Sequence, residues 1–136
     1  MIKLLLVTPD SDPFAEFSSV LLKNNDVELS WAESGRKALD WISGESCDLV
    51  IVDEKLGDMT GIELLKNLLA VNPMINSAAV SPLPADAFHE MSEGLGVLVQ
   101  LPPRPGKKDS ENLLNKLKTL KALTTGMTLN TTGSQE

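Results

Sequence analysis

The chain opens on Ile2-Lys-Leu-Leu-Leu-Val7, apolar throughout except Lys3, the pattern of a strand covered on both faces. Asp12 is the expected N-cap of a first helix, with Pro13 in its first turn and Phe14, Phe17, Val20 and Leu21 at helical spacing. Asn24-Asn-Asp26 ends it, and Val27–Trp31 alternates as a strand does. Ser34 caps a second helix carrying Ala38, Leu39, Trp41 and Ile42, which stops near Gly44. A second continuous apolar run, Leu49–Val52, ends on Asp53, and Gly61 opens a helix with Ile62, Leu65, Leu68 and Leu69 on one face. Asn72-Pro73 terminates that helix. A weak strand around Ser77–Val80, a proline-broken loop, a short helix near Ala85–Glu93 and a strand at Val97–Val99 follow. The last helix is expected from Asp109 or Ser110, with Leu113, Leu114, Leu117, Leu120 and Leu123 along it.

Five strand–helix units with short connections predict an α/β fold: a five-stranded parallel sheet, doubly wound, with helices on both faces. Residues 1–123 make one domain. Residues 124–136 lack a periodic apolar face and read as a flexible C-terminal tail. Asp53 then lies at the carboxyl end of a buried strand, the edge where open α/β sheets gather ligands and chemistry.

Composition narrows the function. A formal charge of −7 argues against wrapping nucleic acid, and an aromatic fraction of 4% with no tyrosine removes base-stacking platforms. No apolar run approaches the roughly 20 residues of a membrane span. The single cysteine, Cys47, excludes an internal disulfide and fits a reducing, cytoplasmic setting. His89 has no partner histidine or cysteine nearby in sequence, and Trp31 and Trp41 read as packing residues. The loop Thr8-Pro-Asp-Ser-Asp-Pro13 has no glycine for close approach to a phosphate, against a dinucleotide or flavin carrier.

The stretch Asp48-Leu-Val-Ile-Val-Asp-Glu-Lys-Leu-Gly-Asp-Met-Thr-Gly-Ile-Glu-Leu-Leu65 resembles the third strand, loop and third helix of response-regulator receiver domains of the chemotaxis-regulator kind. With the order of elements, the resemblance covers roughly residues 2 to 123. It implies a flavodoxin-like fold of strand order 2-1-3-4-5, and a non-enzymatic, two-component phosphorelay function in which Asp53 accepts a phosphoryl group from a histidine kinase. It also brings in Mg²⁺, held in the family by an acidic pair, the phosphoacceptor and a backbone carbonyl. No other cofactor is implied.

In this chain the acidic pair aligns with Thr8 and Pro9, with Asp10 and Asp12 close behind, and the carbonyl donor aligns with Lys55. The family's serine or threonine after the fourth strand is Ser81. Its lysine falls on Leu101, or on Gln100 with a one-residue shift; Arg104, Lys107 and Lys108 lie beyond. The proline after it is Pro102, where the family has a cis bond, and the aromatic switch position is Leu98 or Val97. Asp53 and Ser81 are thus kept while the metal carboxylates and the lysine are replaced. That implies an atypical receiver regulating by protein binding, with a face of the fourth helix, fifth strand and fifth helix toward an output domain or dimer partner. The alternative is a small ligand-binding protein or enzyme on the same fold, with Asp53 as base or metal ligand; no convergent His, Cys or Lys set accompanies it.

Overall fold

Leu49–Val52 forms β3, and all four of its side chains are buried because helices cover both faces of the sheet at this strand. Residues 2–129 are described in this computed structural model, with side chains from 2 to 122. The remaining strands are β1 (Ile2–Val7), β2 (Val27–Ala32), β4 (Asn76–Val80) and β5 (Val97–Leu101). Every pairing is parallel, in the order β2-β1-β3-β4-β5. The helices are α1 (Ala15–Leu22), α2 (Gly35–Gly44), α3 (Gly61–Val71), α4 (Ala85–Ser92) and α5 (Lys107–Leu129).

Side-chain alternation along β1 and β3 divides the core in two. Leu4, Leu6, Leu49 and Ile51 pack with Phe14, Phe17, Leu21, Leu113 and Leu117, under α1 and α5. Leu5, Val7, Val50 and Val52 pack with Ala38, Leu64, Leu65, Leu68 and Phe88, under α2, α3 and α4. A strand feeding both layers must be apolar at every position. That is why β1 and β3 were legible as unbroken runs.

Local chemistry sets the ends of the helices. The Ser34 hydroxyl accepts from the Lys37 N–H at 3.1 Å and caps α2. A capping box of Thr60 and Glu63 opens α3. Several boundaries differ from the expectation. Asp12 does not cap a helix; it begins a 3-10 turn, Asp12–Phe14, and its own N–H donates to Asp10 Oδ1 at 3.0 Å, so α1 starts only at Ala15. Strand β5 runs two residues past Val99, because Gln100 and Leu101 keep the ladder to Ala79 and Val80. Helix α5 begins at Lys107, since Asp109 and Glu16 carboxylates accept the first N–H groups, of Gly106 at 2.8 Å and Lys107 at 2.9 Å. It continues to Leu129, so 124–129 prolong the helix where a tail was expected; residues 130–136 lie outside the described part. No helix among the described residues is long and apolar enough to cross a membrane.

Candidate functional site at the carboxyl ends of the strands

Register brings the site together. Val7 is paired with Val52, so the next residues, Thr8 and Asp53, emerge side by side, with the Asp53 N–H donating to the Val7 carbonyl at 2.9 Å. On the other side Val52 pairs with Ala79, and Ser81 follows one residue past the end of β4. Asp53, Gly61, Ser81, Phe88 and Met91 line one cleft of about 30 Å³, room for a single water.

Both oxygens of Asp53 already have donors. Oδ1 accepts from the Glu54 N–H at 2.7 Å, and Oδ2 from the Thr8 hydroxyl at 2.7 Å. Thr8 is fully buried. Its hydroxyl also stands 2.9 Å from the Asp10 carbonyl and accepts from the Asp10 N–H at 3.2 Å. A hydroxyl has one proton, and the carboxylate at the shorter distance is the stronger acceptor. The Thr8 carbonyl in turn accepts from the Trp31 indole N–H at 2.9 Å. Trp31, expected as a packing residue, is instead 54% exposed, with its polar edge fixing the loop beside Asp53. Trp41 is half-buried against the α2–α3 layer, as its helical position suggested.

Gly61 explains the fixed distance between the aspartate and the third helix. Its N–H donates to the Glu54 carbonyl at 3.0 Å, and a Cβ at this position would stand 2.2 Å from the Asp53 carbonyl oxygen. Only glycine allows the helix to begin that close to the strand end. Between them Lys55 bridges to Thr60 and Leu56 to Met59, closing a turn around Gly57, whose φ is +88°. The Lys55 side chain is exposed. Asp58, unmarked in the sequence reading, accepts the Gly35 and Arg36 N–H groups at 3.0 Å each and so caps α2 from this loop. The Arg36 N–H first, and then that of Gly35, hold its carboxyl below the usual range. A lone aspartate in a loop gives no sequence sign of which helix it caps.

Ser81 is buried, with its hydroxyl accepting from the Leu83 N–H at 3.1 Å and its N–H donating to the Leu101 carbonyl at 3.0 Å. Leu101, expected at the family's lysine position, is fully buried in the α1–α5 layer. Gln100, the alternative, braces the loop after β4 by donating to the Ser81 carbonyl at 3.2 Å and the Leu83 carbonyl at 2.8 Å. The Leu101–Pro102 bond is trans. Leu98 and Val97 are half-buried on the edge strand β5. His89 is exposed, and burial first of all pushes the Cys47 thiol up to about 11.

Mg²⁺ prefers several hard oxygen ligands in near-octahedral array. Pro9 offers no side-chain donor, the Thr8 hydroxyl is committed to Asp53, and the Asp10 carboxylate accepts from Asp12. Among the described residues no group of three His, Cys, Asp or Glu could hold a metal. The residues present do not fit the ion.

Known proteins agree on the fold around this site. The chain resembles a receiver domain of CheY-like type from Methanospirillum hungatei (22% identity, TM-score 0.75, covering 89% of this chain and 97% of that one). It also resembles chemotaxis response regulator CheY4 of Vibrio cholerae (19%, TM-score 0.74, 86% and 98%). In sequence, 71 residues are 34% identical to the transcriptional regulatory protein ZraR of Escherichia coli, covering 52% of this chain and 16% of that protein. A further 97-residue match at 28% is to a response regulator receiver protein of Anaeromyxobacter, covering 71% and 41%. The matches thus span 16% of ZraR and 41% of the Anaeromyxobacter protein, less than half of either sequence relative. The family described as response regulator receiver domain matches residues 5–92. With that match over more than half of its length, and with a five-stranded sheet of the expected order, the chain belongs to the response regulator receiver domains of two-component systems.

Proposed function

We propose that this receiver domain regulates by binding a protein partner, with its Asp53 site held in one state rather than switched by Mg²⁺-dependent phosphorylation. The observation that carries this reading is the 2.7 Å hydrogen bond from the buried Thr8 hydroxyl to Asp53 Oδ2, formed where the family places a metal-binding carboxylate. An aspartyl phosphate would bring about two negative charges to this edge. Phosphoryl transfer depends mainly on positioning and on electrostatic stabilisation of the moving charge. Here the lysine position is the buried Leu101, and none of the ion pairs among the described residues includes Asp53.

The partner is a histidine kinase or another signalling protein, an attached output domain, or a second copy. The face of α4, β5 and α5 suits such contacts because β5 is an edge strand. A second reading keeps Asp53 as a working phosphoacceptor with Ser81 as its phosphoryl contact; their sharing of one cleft favours it. An amide NMR titration with Mg²⁺ and then beryllofluoride, a mimic of phosphoaspartate, separates the two. Binding-only regulation gives no saturable shift at millimolar concentrations. Saturable shifts at Asp53, Ser81 and β5, abolished by Asp53→Asn, would establish the second reading instead.

A further inference from the structure

Charge is distributed very unevenly. Residues 104–121 carry six of the chain's twelve lysines and arginines but only two of its nineteen acids, in a chain of formal charge −7. Part of this basic segment borders a groove of about 450 Å³ between α1 and α5, lined by Val20, Lys23 and Asn24 on one side and by Lys107, Glu111, Leu114, Asn115 and Lys118 on the other. On α5, positions 107, 111, 115 and 118 form a single stripe at helical spacing. Of the three lysines, Lys118 has a long contact of 4.0 Å to the exposed Asp26, and neither Lys23 nor Lys107 takes part in an ion pair among the described residues.

We infer that this groove docks an acidic amphipathic helix of a partner protein, with carboxylates meeting Lys107 and Lys118 and an apolar side chain reaching toward Val20 between them. Lys107 and Lys118 stand eleven residues apart, about 16 Å along the helix axis. That separation is too long for one phosphate or carboxylate group, and it matches three turns of a facing helix. Glu111 lies between them, which disfavours a compact polyanion seated at the centre. The Asn24 amide already donates to the Val20 and Leu21 carbonyls, so it is not a spare donor for a small anion. Lys23 and Asn24 lie at the end of α1 that leads into β2, away from the sheet edge that carries Asp53, whereas Lys107 opens α5 on the side of that edge. Docking here needs no change at Asp53 and does not depend on how that site works. Charge complementarity sets specificity and association rate, and helix-in-groove packing supplies the contact.

The test is an amide NMR titration of the whole chain with a designed amphipathic peptide of about eighteen residues, long enough to hold a helix, bearing glutamates eleven apart. Saturable shifts are expected at Lys23, Asn24, Lys107, Asn115 and Lys118. Affinity should fall at least tenfold for the peptide with glutamines in place of glutamates, and likewise for the chain carrying Lys23→Glu and Lys118→Glu. It should also collapse toward 1 M salt, where the Debye length is about 3 Å. These lysines are exposed surface groups, and the unliganded spectrum reports whether the variant is folded. Four outcomes would each overturn the inference: no saturable binding, equal binding of the glutamine peptide, tighter binding of single-stranded DNA at the same residues, or a self-association in sedimentation that Lys118→Glu abolishes.

Discussion

Replacing Thr8 with valine removes one hydroxyl from a fully buried position and tests whether that hydroxyl is structural filler or the lock on Asp53. The lost bond, from Thr8 Oγ1 to a carboxylate oxygen at 2.7 Å, belongs to the class in which one partner is charged, worth about 1.5–3 kcal/mol. Two effects reduce that figure. Asp53 is only half-buried, so water recovers part of its solvation, and the new valine methyl gains up to about 0.8 kcal/mol by burial. The Asp10 N–H, which also loses an acceptor, belongs to an exposed residue and can be hydrated. The expected net loss is about 1–2 kcal/mol. With a urea m-value of about 2 kcal/mol/M, the midpoint should fall by roughly 0.5–1 M. A double-mutant cycle with Asp53→Ala isolates the pair and should give a coupling of about 1 kcal/mol or more. If Thr8→Val is neutral or stabilising and the coupling is below about 0.3 kcal/mol, Thr8 merely fills space and the reasoning about a locked site fails.

Gly61→Ala should cost about 3 kcal/mol or displace the Asp53 backbone, since the new Cβ would fall 2.2 Å from the Asp53 carbonyl oxygen; a calorimetric Tm unchanged within a degree or two would contradict this. Leu101→Lys, which puts a lysine where the ungapped sequence alignment places the family's, should destabilise by about 3 kcal/mol or more by forcing an ammonium into a fully buried site; chemical denaturation reads the loss, and a neutral result would mean that the side chain reaches water near Asp53. Asp58 has its carboxyl pKa depressed in the fold, chiefly by the Arg36 N–H, so its contribution is present above the ordinary carboxylate value of about 4 and is lost as pH falls through its lowered folded value. Asp58→Asn should therefore lie below the parent in urea midpoint at neutral pH and converge on it at acid pH; parallel curves would count against the cap.

Periodicity gave the sheet and its helices because the two-layer core leaves a strong mark: β1 and β3 are apolar at nearly every position, and α3 buries Leu65 and Leu68 as its spacing suggests, together with Leu64, which the spacing does not single out, while Ile62 and Leu69 are only partly buried. It was weaker where side-chain bonds set the boundaries. Nothing in the spacing of Glu16 and Lys107 announces that the first closes the start of α5 from ninety-one residues away. The position of the family's lysine was likewise open between Leu101 and Gln100, since a one-residue shift in the count from Gly94 exchanges them. In the sheet Leu101 pairs with Val80 and is buried in the core, while Gln100 reaches back to the loop after β4. Trp31 was misjudged because a tryptophan in an alternating strand looks like core, whereas its N–H serves a carbonyl beside Asp53 and much of its ring stays in water.

A cluster of carboxylates at a strand edge is self-repelling, and a bound cation offsets that repulsion. Here Thr8 and Pro9 leave Asp53 without that neighbouring pair. The Glu54 N–H and the Thr8 hydroxyl complete its hydrogen bonding from within the chain. Such a site has little to gain from a metal, and a phosphoryl group would have to displace bonds already made. A two-state switch moves only when some ligand binds one state better than the other. On the proposed reading, in which Thr8 and Leu101 stand at positions where the family has groups that reward phosphorylation, differential binding comes from a partner on the surface of the domain. Variants at Thr8 would then alter stability far more than signalling output, whereas variants at the partner's contact face would do the reverse.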